Sequence, residues 1–481
     1  MGQTVLELEG GYQLKTSPDG MEAWIEVPPG TTFKDFSRLK EQLESLGLQN
    51  LLDPPILEEG RLIVARGKPP QDGEDGRIEF LVDFSQGPRE ISPHRVDWRE
   101  VNALVSVPAG TPVARVLPPS PGIPGLTVWG EPVPPKPGKK VHIKIESRAE
   151  DKDIEAIEKE LRELEQEKVR ADLILGPGLK YEIKEGLIVA REGGFLELKE
   201  RRLRLYSVYT LEGDVDWNTG NIYFHGKKLT INGSVKRGFK VESQGDLEIK
   251  GDIEDGAAIR AEGALFIFGI IKGERIEIFA GREAILNIVE YATLKVKGNL
   301  NVTGYLLQVR AIVGGMLSVI GEKGIIGGEI YTEGSATVSV VGSSAFVRTL
   351  IKVGYSYEVA EEVERLEKEF SKLDEATDKL KDLLVKGIRL AKAGKLSPEK
   401  KEMLKQLHAF LKKKIIEMAD IKEKIKSLEE HIDKGEYAIL QITVKAYPNV
   451  IVGIGKYSML LKKEHGPGIF CLQGKKIVFR G

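Results

Sequence analysis

Between Lys228 and Gly354 a glycine returns at nearly constant intervals, and this spacing constrains the fold more than any other feature. Cut after each closing glycine (Gly245, Gly263, Gly281, Gly298, Gly315, Gly334, Gly354), the stretch falls into seven units of 18, 18, 18, 17, 17, 19 and 20 residues. Self-similarity at a fixed period marks a solenoid, whose units stack only on their neighbours. The second residue of each unit is Leu229, Leu247, Leu265, Glu283, Leu300, Leu317 or Ala336, and the fourth is Ile231, Ile249, Ile267, Ile285, Val302, Val319 or Val338. Apolar residues two apart share one face of a strand, so each unit opens with a strand turned the same way. A further column holds Gly233, Gly251, Gly269, Asn287, Gly304 and Gly321, with Val340 breaking the rule. Glycine replaced only by asparagine predicts a left-handed corner. Eighteen residues at strand rise give a perimeter of roughly 60 Å, which three short sides fit. The fold class is mainly β: a β-helix of about 18 residues per coil. Glu283 is the one charge in its column; if that column is buried, Glu283 must be paired or the strand must slip there by one residue, and the 17-residue length of its unit favours the slip.

After Gly354 the period changes. Val359, Val363, Leu366, Phe370, Leu373, Thr377, Leu380 and Leu384 alternate spacings of four and three, a coiled-coil heptad. Ser397 and Pro398 read as N-cap and first position of a second helix. Its stripe is Leu404, Leu407, Leu411, Met418, Ile421, Ile425, Leu428 and Ile432, with Lys414 the polar seam position. The seam residues Val363, Leu366, Phe370, Leu373, Leu380, Leu404, Leu411, Met418 and Ile425 thus predict an antiparallel helical hairpin interrupting the solenoid. Strand patterns return over Tyr437–Gly481, expected to complete or cap it, because an open coil end invites aggregation.

Upstream, alternation at Thr4–Leu8 and Ala23–Val27 and helical spacing over Thr32–Leu46 indicate an α+β domain, with Asp53-Pro54-Pro55 ending the helical region. The turn-rich Gly67–Gly76 lacks a phosphate-loop pattern and reads as a solvated turn. Residues 106–145 are proline-rich and read as a rigid strand-and-turn connector; no lysine sits at a hairpin tip as in biotinyl or lipoyl carriers. Ala149–Arg170 is a charged helix with one narrow apolar stripe. The expected organisation is an N-terminal α+β domain (1–105), a connector plus charged helix (106–170), the β-helix (171–355), the hairpin (356–435) and C-terminal strands (436–481).

Function classes narrow quickly. Lys+Arg (71) nearly balance Asp+Glu (73), so overall charge gives no reason to expect nucleic acid or an anionic membrane. No apolar run is long enough for an integral membrane segment, and no signal-peptide pattern opens the chain. The single cysteine, Cys471, lies in an apolar run as a small buried filler, and its isolation fits a reducing cytoplasm. The histidines (His94, His142, His225, His408, His431, His465) show no metal-ligand spacing, and none falls within Lys228–Gly354, where a hexapeptide-type acyltransferase would need one. His225 reads as a surface edge residue, and Gly251–Asp255 as a solvated corner rather than a polysaccharide-enzyme calcium site. No catalytic residue, cofactor or metal is expected.

Several ordered pieces carry a family resemblance. They are Val64-Ala65-Arg66-Gly67-Lys68-Pro69-Pro70 with Asp75-Gly76, Gly110-Thr111-Pro112-Val113, and Pro121-Gly122-Ile123-Pro124-Gly125-Leu126-Thr127-Val128-Trp129-Gly130. Gly213-Asp214-Val215-Asp216 with Thr219-Gly220-Asn221-Ile222 and the glycine coils complete the set. With these pieces the chain resembles the flagellar assembly protein A (FapA) family of bacteria, relative to which Ala149–Arg170 looks like an insertion. The resemblance implies a right-handed β-helix, similar to the MinC C-terminal domain and bactofilin filaments. It implies a non-enzymatic role in polar flagellar assembly, or in its regulation, through protein partners, and no catalytic residues to carry over. A scaffold or adaptor acting through solenoid faces and hairpin tip, with dimerisation, is the first expectation. A bactofilin-like polymer of stacked coil ends is the alternative, and a β-helix acyltransferase or polysaccharide enzyme the second.

Overall fold

The computed structural model describes residues 5–8, 11–27, 36–58, 60–85, 89–92, 95–100, 104–146, 171–392, 398–430, 435 and 437–481. The expected helix Ala149–Arg170, the N-cap Ser397 and the histidines His94 and His431 lie outside the described residues. Backbone packing divides the chain into two units, 1–83 with 110–191 and 197–204, and 84–109 with 192–196 and 205–481.

In the first unit, five antiparallel strands run in the order Val5–Glu7, Gln13–Thr16, Glu22–Glu26, Arg61–Arg66, Leu51–Glu58. Helix α1 (Phe36–Ser45) buries Leu39 and Leu43 against Leu14, Ile25 and Val64 of this sheet. Asp53-Pro54-Pro55 does not end the region: it sits inside Leu51–Glu58, where the register shifts between Leu51 and Ile56. The sheet tolerates the prolines because this is an edge strand, whose missing N–H groups break no ladder. The proline-rich stretch supplies strand Pro112–Leu117, paired antiparallel with Arg77–Phe80 and Leu187–Ala190. The Gly67–Gly76 loop runs hydrogen-bonded beside 120–126 and 136–139. A Cβ on Gly73 would come within 2.8 Å of the Gly138 nitrogen, so the turn is packed backbone on backbone rather than simply solvated.

The second unit is built on parallel ladders. One face stacks Leu229, Leu247, Leu265, Ala284, Leu300, Leu317, Ala336 and Leu440 in register. Another stacks Ile222, Val241, Ile259, Ile278, Leu294, Ala311, Ile330, Ile351 and Val452. All are buried and belong to one continuous apolar core. Among the described residues, eight coils fill Val208–Val353, and Leu440–Ala446 with Val450–Ile454 make a ninth. The slip expected at Glu283 occurs: Leu265 pairs with Ala284, so Ala284 and Leu286 point inward in place of Glu283 and Ile285. Glu283 then gives the ladder only its carbonyl, which accepts the Leu265 N–H at 3.0 Å.

The corner glycines act differently from the expectation. Gly233, Gly251, Gly269, Gly304 and Gly321, and Asn287 with them, are not left-handed. They are there because coils touch at this corner. A Cβ on Gly251 would lie 2.6 Å from the Gly233 carbonyl carbon, and one on Gly321 2.6 Å from that of Gly304. Asn287 fits by bridging coils: its Nδ2 donates to the Phe268 carbonyl at 3.0 Å, and its own carbonyl accepts the Gly304 N–H at 3.0 Å. The left-handed corner is another one, passing through Gly238 (φ 75°), Gly256 (72°), Tyr291 (58°), Gln308 (53°), Gly327 (68°) and Asn449 (66°).

Both coil ends are covered. At the first end, Ser106–Val107 pairs with Gly194–Phe195, and Leu104 and Phe195 pack on the core. At the last, Tyr457–Leu460 and Gly468–Gln473 turn antiparallel on the ninth coil, Lys476–Arg480 follows, and Phe470 plugs the end. Half-buried Cys471 belongs to this cap. Replacing Phe470, whose ring lies tilted against Phe479 with centroids 4.8 Å apart, by alanine should lower stability by about 3–4 kcal/mol. Thermal unfolding would read that loss, and light scattering the self-association expected from an exposed coil end.

Candidate functional site

The solenoid chain leaves at Gly354 (φ 65°) and returns at Gly435, two glycines close enough that a Cβ on Gly354 would meet the Gly435 carbonyl carbon at 2.7 Å. Between them stand helices α2 (Tyr357–Lys392) and α3 (Pro398–Glu430), packed antiparallel. Along the seam, Val363, Leu366, Thr377, Leu384, Leu411 and Ile421 are buried, while Phe370, Leu373, Leu380, Leu404, Met418 and Ile425 are half-buried. A two-helix hairpin covers each seam from one side only, which explains the second group. Lys414 enters the seam with its ammonium on Glu417 at 2.8 Å.

The root of this arm lies on the outer side of the ladder that stacks Leu294, Ala311, Ile330 and Ile351. Tyr355, Tyr357 and Ala360 close over Ile312, with Tyr331 and Tyr355 ring centroids 5.1 Å apart and Lys352 above Tyr355 at 4.8 Å. Glu333 accepts the Tyr357 N–H at 3.1 Å, capping the first turn of α2. Glu364, only 2% exposed, lies 3.0 Å from Lys295 of the solenoid and 2.8 Å from Lys368 of its own helix. Burial pushes its carboxyl up, but pairing with the Lys368 and Lys295 ammoniums outweighs this and holds it below the ordinary range. Burial pulls Arg310 down, yet its pairing with Glu367 leaves it raised. Burial, then Glu361 and Glu364, push the Tyr357 hydroxyl up to about 12. An open cleft of about 530 Å³ remains beside the root, where Arg260 covers the Phe279 ring at 4.0 Å and Lys297, Glu277 and Glu361 complete the walls.

This arrangement is ion-paired and mixed in sign. Among the described residues no group of three or more His, Cys, Asp or Glu could hold a metal, and no helix is long and apolar enough to cross a membrane. His225, expected at a surface edge, is half-buried at the first coil end; its N–H donates to Ser106 Oγ at 2.9 Å, and burial lowers its pKa. Asp214-Val215-Asp216 and Thr219–Asn221 serve the first coil. Asp214 Oδ1 accepts the Ser234 N–H at 2.7 Å, Asp216 Oδ1 the Asn218 N–H at 2.8 Å, and Asn221 Oδ1 the Lys240 N–H at 2.9 Å. Sequence reasoning missed the root because Glu364 stands at an outward heptad position, where a charge ordinarily reads as solvated.

A solenoid closed at both ends and carrying a helical arm on one flank defines a class of β-solenoid protein whose distinctive surfaces are lateral. Residues 207–477 match the family model described as the Flagellar Assembly Protein A beta solenoid domain, and residues 12–157 that of its N-terminal region. The chain belongs to the flagellar assembly protein A family. No curated protein and no solved structure matches it.

Proposed function

We infer that the protein is a non-enzymatic cytoplasmic scaffold or adaptor, acting at the cell pole in flagellar assembly or its regulation through protein–protein contacts. The observation that carries this reading is the arm root: an ion-paired, apolar seat fixes a helical hairpin to one face of a rigid solenoid. At 1.5 Å per residue, α2 extends over roughly 50 Å, long enough to present its far end away from that face. Dimerisation, part of the same reading, uses lateral surfaces. The stacked-polymer alternative needs free coil ends, and the caps around Phe195 and Phe470 occupy both. A deletion strain of the native cell is expected to show fewer or misplaced flagella and reduced swimming. Restoration by the full chain but not by one lacking 380–409 would tie the role to the arm. Normal flagella in the deletion strain would overturn the flagellar role.

A further inference from the structure

We propose that the outer half of the arm is a docking site for an acidic amphipathic helix of a partner protein, seated on a stripe of Leu383, Leu390, Met403 and Phe410. The proposal rests on the adaptor reading and gives the partner its chemistry.

The stripe follows from the register of the hairpin. Thr377 touches Met418 at 3.6 Å and Gly387 packs on Leu404, so Leu383 stands level with Phe410, and Leu390 with Met403. With Val363, Phe370 and Leu411 on the seam, all four residues occupy the heptad position beside it on the same flank of the antiparallel pair. They are 48–70% exposed. Nearer the root the same flank pairs Glu369 with Lys424 and Ala376 with Glu417. The flank is therefore charged near the solenoid and apolar over the two outer layers, about 10 Å apart. Exposed Ile388 and Ile415 on the opposite flank are matched at the same heptad position of the other helix by His408 and Lys381 and form no such layers.

Paired apolar side chains at heptad intervals on two helices make the groove that a third helix fills in a bundle. Charge selects the occupant. Residues 376–416 carry twelve Lys or Arg against four Asp or Glu, whereas 356–375 with 417–435 carry seven against fourteen. Exposed Lys379, Lys386 and Lys413 lie one turn from the stripe. Two such tips repel each other, so a second copy is disfavoured. An anionic bilayer would be attracted to the charge but places no demand on register, which is the ordered feature here.

The test uses the purified full chain and a fluorescent peptide about three heptads long, with leucine at a and d and glutamate elsewhere. Saturable binding is expected, weakened about tenfold or more by Leu383→Glu with Phe410→Glu and by charge reversal of Lys379, Lys386 and Lys413 together. Ile416→Glu, off the stripe, should leave binding unchanged, and helical circular dichroism should be preserved throughout. No binding, equal binding by all variants, or equal binding of a leucine-free glutamate peptide would overturn the proposal. So would stripe-dependent flotation with phosphatidylglycerol vesicles, or stripe-dependent dimerisation in sedimentation equilibrium. Failure here leaves the deletion-strain result standing, and normal flagella there leave this binding result standing.

Discussion

Gly321→Ala is expected to destabilise the solenoid by about 3 kcal/mol or more, although alanine is the smallest possible addition. The added carbon would lie 2.6 Å from the Gly304 carbonyl carbon and closer still to its oxygen, and neither belongs to a side chain that can turn away. Relief requires parting two coils held near 4.8 Å by their ladder hydrogen bonds. Gly256→Ala is the informative partner. Gly256 is left-handed, with its nearest neighbour, the Gly238 Cα, 3.8 Å from a built Cβ, so the cost there is the conformational one of about 1–2 kcal/mol. Amide hydrogen exchange over 317–332 and the thermal midpoint would separate the two. Equal losses would mean that close approach is not what the glycine column serves.

Glu364→Ala should loosen the arm root by about 1–2 kcal/mol, since it leaves Lys295 with only the more exposed Glu361 at 3.4 Å. Faster proteolysis and exchange over 357–370 would report it, with the coils unaffected. Lys295→Met combined with Glu364→Leu should regain most of the loss, because the charge is then removed from both sides of the contact. The pH dependence has a definite sign. A carboxyl held below its ordinary 4.5 stabilises the docked root above that value, and the contribution disappears as pH falls through the folded pKa. A wild-type root insensitive to acid, or a double variant as loose as Glu364→Ala, would remove the ion pair from this account.

The coils were readable because strand alternation and unit length are properties of single positions in a repeat. Even the slip at Glu283 could be anticipated, since one charge in a buried column and one missing residue point to the same adjustment. The reason for the glycine column was not readable. A glycine that avoids a clash and one that permits a left-handed turn look identical in sequence, and Asn287 suits either account. The true left-handed corner escaped notice because Tyr291, Gln308 and Asn449 alternate there with glycine, so no residue type marks it. The arm root was hidden for a related reason. A heptad shows which residues face the partner helix, but the solenoid face covering Glu364 is built from Lys295 and Ile312, far away in the chain.

The meeting of Gly354 and Gly435 has a kinetic meaning as well. The ninth coil must pair Ala336 with Leu440 across more than a hundred residues of chain. Closing a flexible segment as long as the arm, rather than an ordinary corner of about five residues, adds roughly 2 kcal/mol of entropy cost. A hairpin that folds locally, as antiparallel helices can, brings its two ends together before the ninth coil forms. The arm would then serve as its own clasp during folding, and the last coil could close almost as readily as the eight before it.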